Sequence, residues 1–314
     1  MNAGHGSPNG PPPDLANLVD EACHRAGYPS GATLIRHFAN AVYLLDNAPV
    51  VVRVGYSLAA AAKARTALTV VRWLIAKDFP ATAPADPPTG AEQPLVFDSM
   101  GQPVTVTFWH YYPQPLGVGW PGTDVLGTVA SALHELPTPP FELAQFEPLR
   151  TMTAVVRDPA ARLALNKAER VWLAGRLVEL RATFRELDSP LGRGLIHADM
   201  YTGNLLWSST ADHGPVLLGD WDSVCFGPRE IDLIPTYAEP RFGTDPATVD
   251  AFVRSYGYDL RQWSGFQVLY DIRELSTLSA LIRLAPTNAA SRAELRHRLG
   301  LLMHGDRVTP WHGQ

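Results

Sequence analysis

Strand-type and helix-type patterning occupy different stretches of this chain, and that segregation limits the fold more than any other feature. Over residues 33–45 and again over 49–54, Val, Leu, Tyr and Phe crowd around an Asp46-Asn47 turn, the pattern of a hairpin. A helical stretch follows at 58–76, then a Pro-rich connection at 80–94, and strand-like runs return at 95–97 and 104–109. Ahead of all of these, Leu15, Leu18, Val19 and Ala22 fall at helical intervals within residues 15–26. Beyond Pro113 and Pro115 the periodicity becomes helical, at 124–136, 146–157, 160–187, 248–256, 263–284 and 291–304. Strands first and helices afterwards predict an α+β fold, with a β-rich part over residues 15–112 and a mainly helical part over 113–314.

Composition closes off several function classes. The chain has 314 residues, 46% of them hydrophobic and 18% charged, which suits a globular enzyme with a substantial core. Residues 1–14 are mostly Gly, Pro and Asn with no apolar run, so a disordered tail is expected there and no signal peptide. The stretch closest to a membrane segment, 58–62, is far short of the ~20 apolar residues a spanning helix needs, and a cytoplasmic protein without a membrane partner is expected. Cys23 and Cys225 make neither a disulfide framework nor a metal-ligand spacing. A net charge of −5 argues against nucleic acid as a partner. The acids are concentrated: residues 191–260 hold ten Asp or Glu against four Arg and no Lys, so a cleft there carries negative potential.

The helical half is interrupted at 195–223, where two short apolar runs, 204–207 and 215–219, flank a polar turn. Just before the first run stands His197-Ala198-Asp199-Met200-Tyr201-Thr202-Gly203-Asn204, and just after the second stands Gly219-Asp220-Trp221-Asp222. A hairpin brings Asp199, Asn204 and Asp220 to one mouth. Phosphoryl transfer needs such a set: a carboxylate to orient and deprotonate the attacking hydroxyl, with a neutral oxygen and a second carboxylate to hold Mg²⁺ on a triphosphate. Asp199 is the candidate base, and Asn204 and Asp220 are the candidate metal ligands. His197 is read as a brace for the loop. Asp222 is either a ligand of substrate or a second metal, or a hydrogen-bonding partner of the loop. Glu230 and Asp232 are read as acids in the first turn of a helix, interacting with its dipole.

HADMYTGNLLW followed by VLLGDWDSVCFGPREIDL resembles the aminoglycoside phosphotransferase family of kinase-like enzymes. Leu133-His134-Glu135-Leu136 is similar to that family's LH-x-L helix, and Asp232-Leu233 to its closing Asp-Leu, whose carboxylate braces the catalytic loop. The resemblance implies a two-lobed protein-kinase-like fold, with a nucleotide-binding N-lobe and a C-lobe carrying the catalytic loop and substrate site. It also implies that Trp109, His110 and Tyr111 lie at the hinge that holds the base, that Arg53 contacts the α and β phosphates, and that Asn40 sits in the phosphate-covering loop. Two departures stand out. The loop at 36–40 has no glycine, and residues 58–76 contain no acid to orient Arg53.

The expected activity is transfer of the γ-phosphate of ATP or GTP, with Mg²⁺, to a hydroxyl of a small molecule. The acids at Asp222, Glu230 and Glu239 favour an amine-bearing antibiotic or related natural product; a sugar, choline or homoserine as acceptor is the alternative. A non-catalytic nucleotide-binding protein is the rival from another class, and Asp199 argues against it, because a pure binder has no use for a base. Acceptor, nucleotide preference and oligomeric state are not readable from the sequence.

Overall fold

The computed structural model describes residues 15–37, 40–56, 59–99, 102–209 and 215–312. The tail expected over 1–14 lies outside the described residues, as do Phe38 and Ala39 of the glycine-free loop. The chain divides into two compact units: residues 1–121, 139–141 and 203–224 form one, and 122–138, 142–202 and 225–314 the other.

The first unit opens with α1 (Leu15–Ala26), then β1 (Ala32–His37), β2 (Asn40–Leu45), β3 (Val50–Gly55), α2 (Ala60–Ile75), β4 (Leu95–Ser99) and β5 (Gln102–His110). The chain builds much of the second unit with α3 (Thr123–Glu135), α4 (Arg150–Arg157), α5 (Lys167–Glu186) and β6 (Arg193–Ile196). It returns to the first unit for β7 (Leu205–Trp207) and β8 (Val216–Leu218). It ends in the second with β9 (Cys225–Pro228), α6 (Glu230–Ala238), α7 (Ala247–Tyr256), α8 (Phe266–Leu284) and α9 (Ala289–Met303). The result is the expected α+β class.

The run read as one strand over 33–45 is two, β1 and β2, and β3 pairs with β2 across the predicted turn. The five strands form an antiparallel sheet in the order β1-β2-β3-β5-β4. Period-two alternation decides what each side chain does. Val50, Val52 and Val54 are buried in a core with Val106, Phe108 and the α1 residues Leu15, Val19 and Ala22. Val51 and Arg53 therefore point the opposite way, beside Val42 and Trp109 on the neighbouring strands.

The Pro-rich connection after α2 is more than a linker. Leu218 N–H donates to the Pro80 carbonyl at 2.8 Å and Thr82 N–H to the Leu218 carbonyl at 3.0 Å. A few residues on, His110 N–H donates to the Ala83 carbonyl at 3.0 Å and Ala85 N–H to the Phe108 carbonyl at 3.0 Å. This one segment thus ties the β7–β8 hairpin to β5, fixing Asp220 relative to Trp109 within the first unit.

In the second unit α3 lies against α7, and α8 touches α4, α5, α6 and α9. Gly127 permits the first contact: a Cβ there would sit 2.7 Å from the Phe252 carbonyl oxygen. The helix expected over 160–187 is broken. A 3₁₀ turn at Pro159–Leu163 precedes α5, which starts anew behind Asn166, where the Asn166 and Glu169 side chains cap each other's backbone. Strands β6 and β9 pair antiparallel around Ile196 and Cys225, an element the patterning had not shown. Both cysteines are buried and unbridged. Burial pushes the Cys23 thiol up to about 11 and the Cys225 thiol up to about 12, which keeps both protonated.

Candidate active site

Within the first unit a cavity of about 460 Å³, ample for a nucleotide, is lined by Val51, Arg53, Trp109, His110, Tyr111, Asn204 and Asp220. All three hinge residues read from the sequence, the candidate phosphate anchor and both candidate metal ligands therefore face one space. Tyr112, the next residue of the hinge segment read from the sequence, and Trp221 also line it, as do Thr82 and Gln114, which the sequence reading had not singled out. Gln114 has a distinctive place: its amide donates to the Tyr112 carbonyl at 2.8 Å and the Trp207 carbonyl at 3.1 Å and accepts from Trp207 N–H at 2.9 Å. It splices the segment after β5 onto β7. A lone Gln in a Pro-rich stretch carries no signal of this.

Arg53 answers the question left by an α2 without acids. Its Nη2 lies 2.8 Å from Asp220 Oδ1 and 2.7 Å from Asp222 Oδ2, and Asn40 Nδ2 donates to Asp222 Oδ2 at 3.1 Å. Burial alone would lower the Arg53 pKa, but Asp220 and then Asp222 outweigh it and hold the guanidinium above its ordinary value. Lys63, Arg65 and Arg72 on α2 are exposed, and Arg72 pairs with Asp86 at 3.3 Å. Asp220 itself adopts a left-handed backbone, φ 60° and ψ 58°, which Asp tolerates better than most residues and which turns the chain sharply after β8.

Asn204 offers an amide oxygen and Asp220 a carboxylate, the hard oxygen donors Mg²⁺ prefers. Among the described residues no three His, Cys, Asp or Glu side chains gather into a metal cage. Mg²⁺ needs no such cage when nucleotide oxygens and water supply its remaining ligands, so the donor set fits an ion carried in on a triphosphate.

In the second unit Asp232 is fully buried and accepts from His197 N–H at 2.8 Å and Ala198 N–H at 2.6 Å. Ala198 is held at φ 62°, a conformation costing an L-residue about 1 kcal/mol, and these two bonds fix it. His134 Nε2 lies 3.1 Å from the same carboxylate and His134 Nδ1 lies 2.9 Å from Tyr256 Oη. A carboxylate acceptor requires a proton on Nε2, so His134 donates to Asp232 and meets Tyr256 through its other ring nitrogen. The His of the LH-x-L segment thus backs Asp232, which backs the loop. His197 is itself fully buried.

Glu230 and Asp232 stand in the first turn of α6, as read from the sequence, and burial gives each specific partners besides the helix dipole. Glu230 is as buried as Asp232 and accepts from Ser189 Oγ at 2.6 Å and Leu191 N–H at 2.8 Å. It ties α6 to the turn before β6 and presents no charge to a cleft. Asp199, by contrast, keeps 39% of its side chain exposed and has Arg273 Nη1 3.7 Å from Oδ1. Glu239 also senses Arg273, yet burial prevails and pushes its carboxyl up to about 7.

Among solved structures, an amicoumacin kinase in complex with AMP-PNP, Ca²⁺ and ligand matches with a TM-score of 0.69 at 14% identity, over 95% of this chain and 97% of that one. A microcompartment-associated aminopropanol kinase matches with a TM-score of 0.69 at 17% identity, over 93% and 99%. A spectinomycin phosphotransferase in complex with ADP and spectinomycin matches with a TM-score of 0.59 at 15% identity, over 93% and 95%. Identities this low show a shared fold, that of protein-kinase-like phosphotransferases. No curated protein sequence matches the chain. The model of the phosphotransferase enzyme family, APH, matches residues 31–266, a span holding the five-stranded sheet, Arg53 and both halves of the HADMYTGN and GDWD pair. On that match the chain belongs to the APH phosphotransferase family, and it is an enzyme that phosphorylates a hydroxyl group of a small molecule.

Proposed function

We propose that the first unit holds a Mg²⁺-bound nucleoside triphosphate, ATP or GTP, in the 460 Å³ cavity, and that Asp199 of the second activates the acceptor hydroxyl. The observation that carries this reading is the convergence of Arg53, Asn204 and Asp220 on one cavity that the Trp109-His110-Tyr111 segment also lines. Aromatic faces there suit a purine. Arg53 gives the phosphates a permanent forked cation. Bound Mg²⁺ supplies charge neutralisation on the β and γ phosphates, with Asn204 and Asp220 as its protein ligands.

Asp199 Oδ accepts the proton of the acceptor hydroxyl as its oxygen bonds to the γ-phosphorus and the bond to the nucleoside diphosphate breaks. Asp232, His134 and His197 do no chemistry: they hold the loop so that Asp199 keeps one orientation, and orientation accounts for much of the rate in such reactions. A triphosphate donor supports a cytoplasmic location, and no described helix is long and apolar enough to cross a membrane.

For the acceptor, the leading reading is an antibiotic or related natural product, supported by the amicoumacin and spectinomycin enzymes among the structural neighbours. A specific observation favours a second reading. Glu230 is buried, Glu239 is held towards its neutral form, and Arg273 stands beside Asp199, so the surroundings of the base carry little surplus negative charge. A polycationic amino sugar fits that poorly; a neutral or singly charged alcohol, as in the aminopropanol and choline kinases among the neighbours, fits better. A screen of polycationic, monoamine and neutral alcohols for nucleoside-diphosphate release, with mass spectrometry for the phosphorylated product, separates the readings. Turnover confined to polycationic amino sugars would reject the second.

A further inference from the structure

We propose that Asp220 and Asp222 orient Arg53 in place of the missing α2 acid, and that Arg53 is the resident cation of these carboxylates, handed to the phosphates when Mg²⁺ arrives with the nucleotide. The proposal rests on the nucleotide-binding reading above. One guanidinium nitrogen serves both acids, at 2.8 and 2.7 Å, while Asn40 fixes the Asp222 oxygen from the other side at 3.1 Å. The three charged side chains are only 17%, 29% and 33% exposed, so water shields their interaction incompletely. Two carboxylates this close repel unless a cation lies between them, and Arg53 is that cation.

Arg53 Nε is buried and has no hydrogen-bond partner among the described residues, so a donor is left over on a side chain that already lines the cavity. Phosphate oxygens are the acceptors a guanidinium fork fits. Asp220, if it held a metal ion, would have a second cation at the carboxylate that Arg53 now touches, and the guanidinium would be freed for the phosphates. Asp222 and Asn40, on this account, keep Arg53 tethered during the exchange, making Asp222 a positioning residue. Metal alone then competes with Arg53, whereas metal entering with triphosphate offers Arg53 a new partner. The coupling is reciprocal.

Mn²⁺ is the probe, titrated by electron paramagnetic resonance without nucleotide into wild type and Arg53→Met; ATP is titrated separately with and without Mg²⁺. Removing the competing cation should tighten Mn²⁺ binding at least ~10-fold while weakening ATP binding by a similar factor, within the usual range of site-to-site coupling. Unchanged or weaker Mn²⁺ binding in a folded Arg53→Met protein overturns the proposal. Should that variant not fold, Arg53→Met is compared with its parent in an Asp222→Asn background, where less unbalanced charge remains; the same tightening supports the exchange and its absence overturns it. If wild type binds no ATP in Mg²⁺, the phosphotransferase reading itself fails, whatever Mn²⁺ does.

Discussion

Asp232, in the first turn of α6, connects two other parts of the second unit through one carboxylate: α3 through His134, and the loop after β6 through the amides of His197 and Ala198. Asp232→Ala strands one buried and one part-buried N–H donor and an imidazole, and should cost on the order of 3 kcal/mol of stability, measured by urea denaturation. Asp199→Asn should leave stability and nucleotide binding intact and lower turnover by at least ~10²-fold; near-normal turnover removes it from the base role. Glu239 gives a pH signature. Its folded pKa of about 7 lies above the unfolded value near 4.5, so the folded state binds the proton more tightly. Its contribution is fully present below about pH 4.5 and lost as pH rises through 7. Glu239→Gln should therefore gain on the order of 1 kcal/mol over wild type at pH 8 and nothing at pH 4.5, read from paired melting curves. At this scale the meeting of Asn204 and Asp220 at one cavity was legible, since the two apolar runs between them read as a hairpin. The pairing of Arg53 with Asp220 and Asp222, and the burial of Glu230, were not, because both depend on contacts between residues far apart in the chain.

Elements were legible where one period ran uninterrupted. Residues 15–26 form a helix as read, because Leu15, Leu18, Val19 and Ala22 make one apolar face against the sheet. The β7–β8 hairpin was legible from two apolar runs around a polar turn. Pattern failed where capping or pairing decides. Asn166-Lys167-Ala168-Glu169 is a capping box inside what looked like one helix, and Asn166→Ala should destabilise α5 by about 1 kcal/mol, measured by thermal melting. β6 and β9 are four residues each and find one another across the whole hairpin, which local periodicity does not register. The segment from Pro80 to Ala85 shows backbone pairing on both sides, to β8 and β5, without a strand-like sequence.

At the scale of the molecule, both units are self-consistent bodies with their own cores, and the described segment after α9 is anchored at Trp311. Trp311 is 3% exposed beneath Arg241 and Arg298, whose guanidinium carbons lie 4.6 and 4.8 Å from its ring, and Arg241 donates to the Thr309 carbonyl at 2.6 Å. The separation of strands from helices made the α+β class readable, whereas the return of residues 203–224 to the first unit was hidden, since nothing local marks a chain that leaves a body and comes back. That return places Asn204 and Asp220 beside Arg53. The central claim is that these residues hold a metal–triphosphate for a reaction that needs Asp199. The most direct test is a single-turnover experiment with γ-labelled ATP, Mg²⁺ and an acceptor found by the screen, comparing wild type, Asp199→Asn and Asp220→Ala. Label should pass to the acceptor in wild type, remain on bound ATP in Asp199→Asn, and remain on ATP with weakened metal dependence of binding in Asp220→Ala. Transfer by Asp199→Asn at the wild-type rate, or unaltered metal dependence in Asp220→Ala, would contradict it.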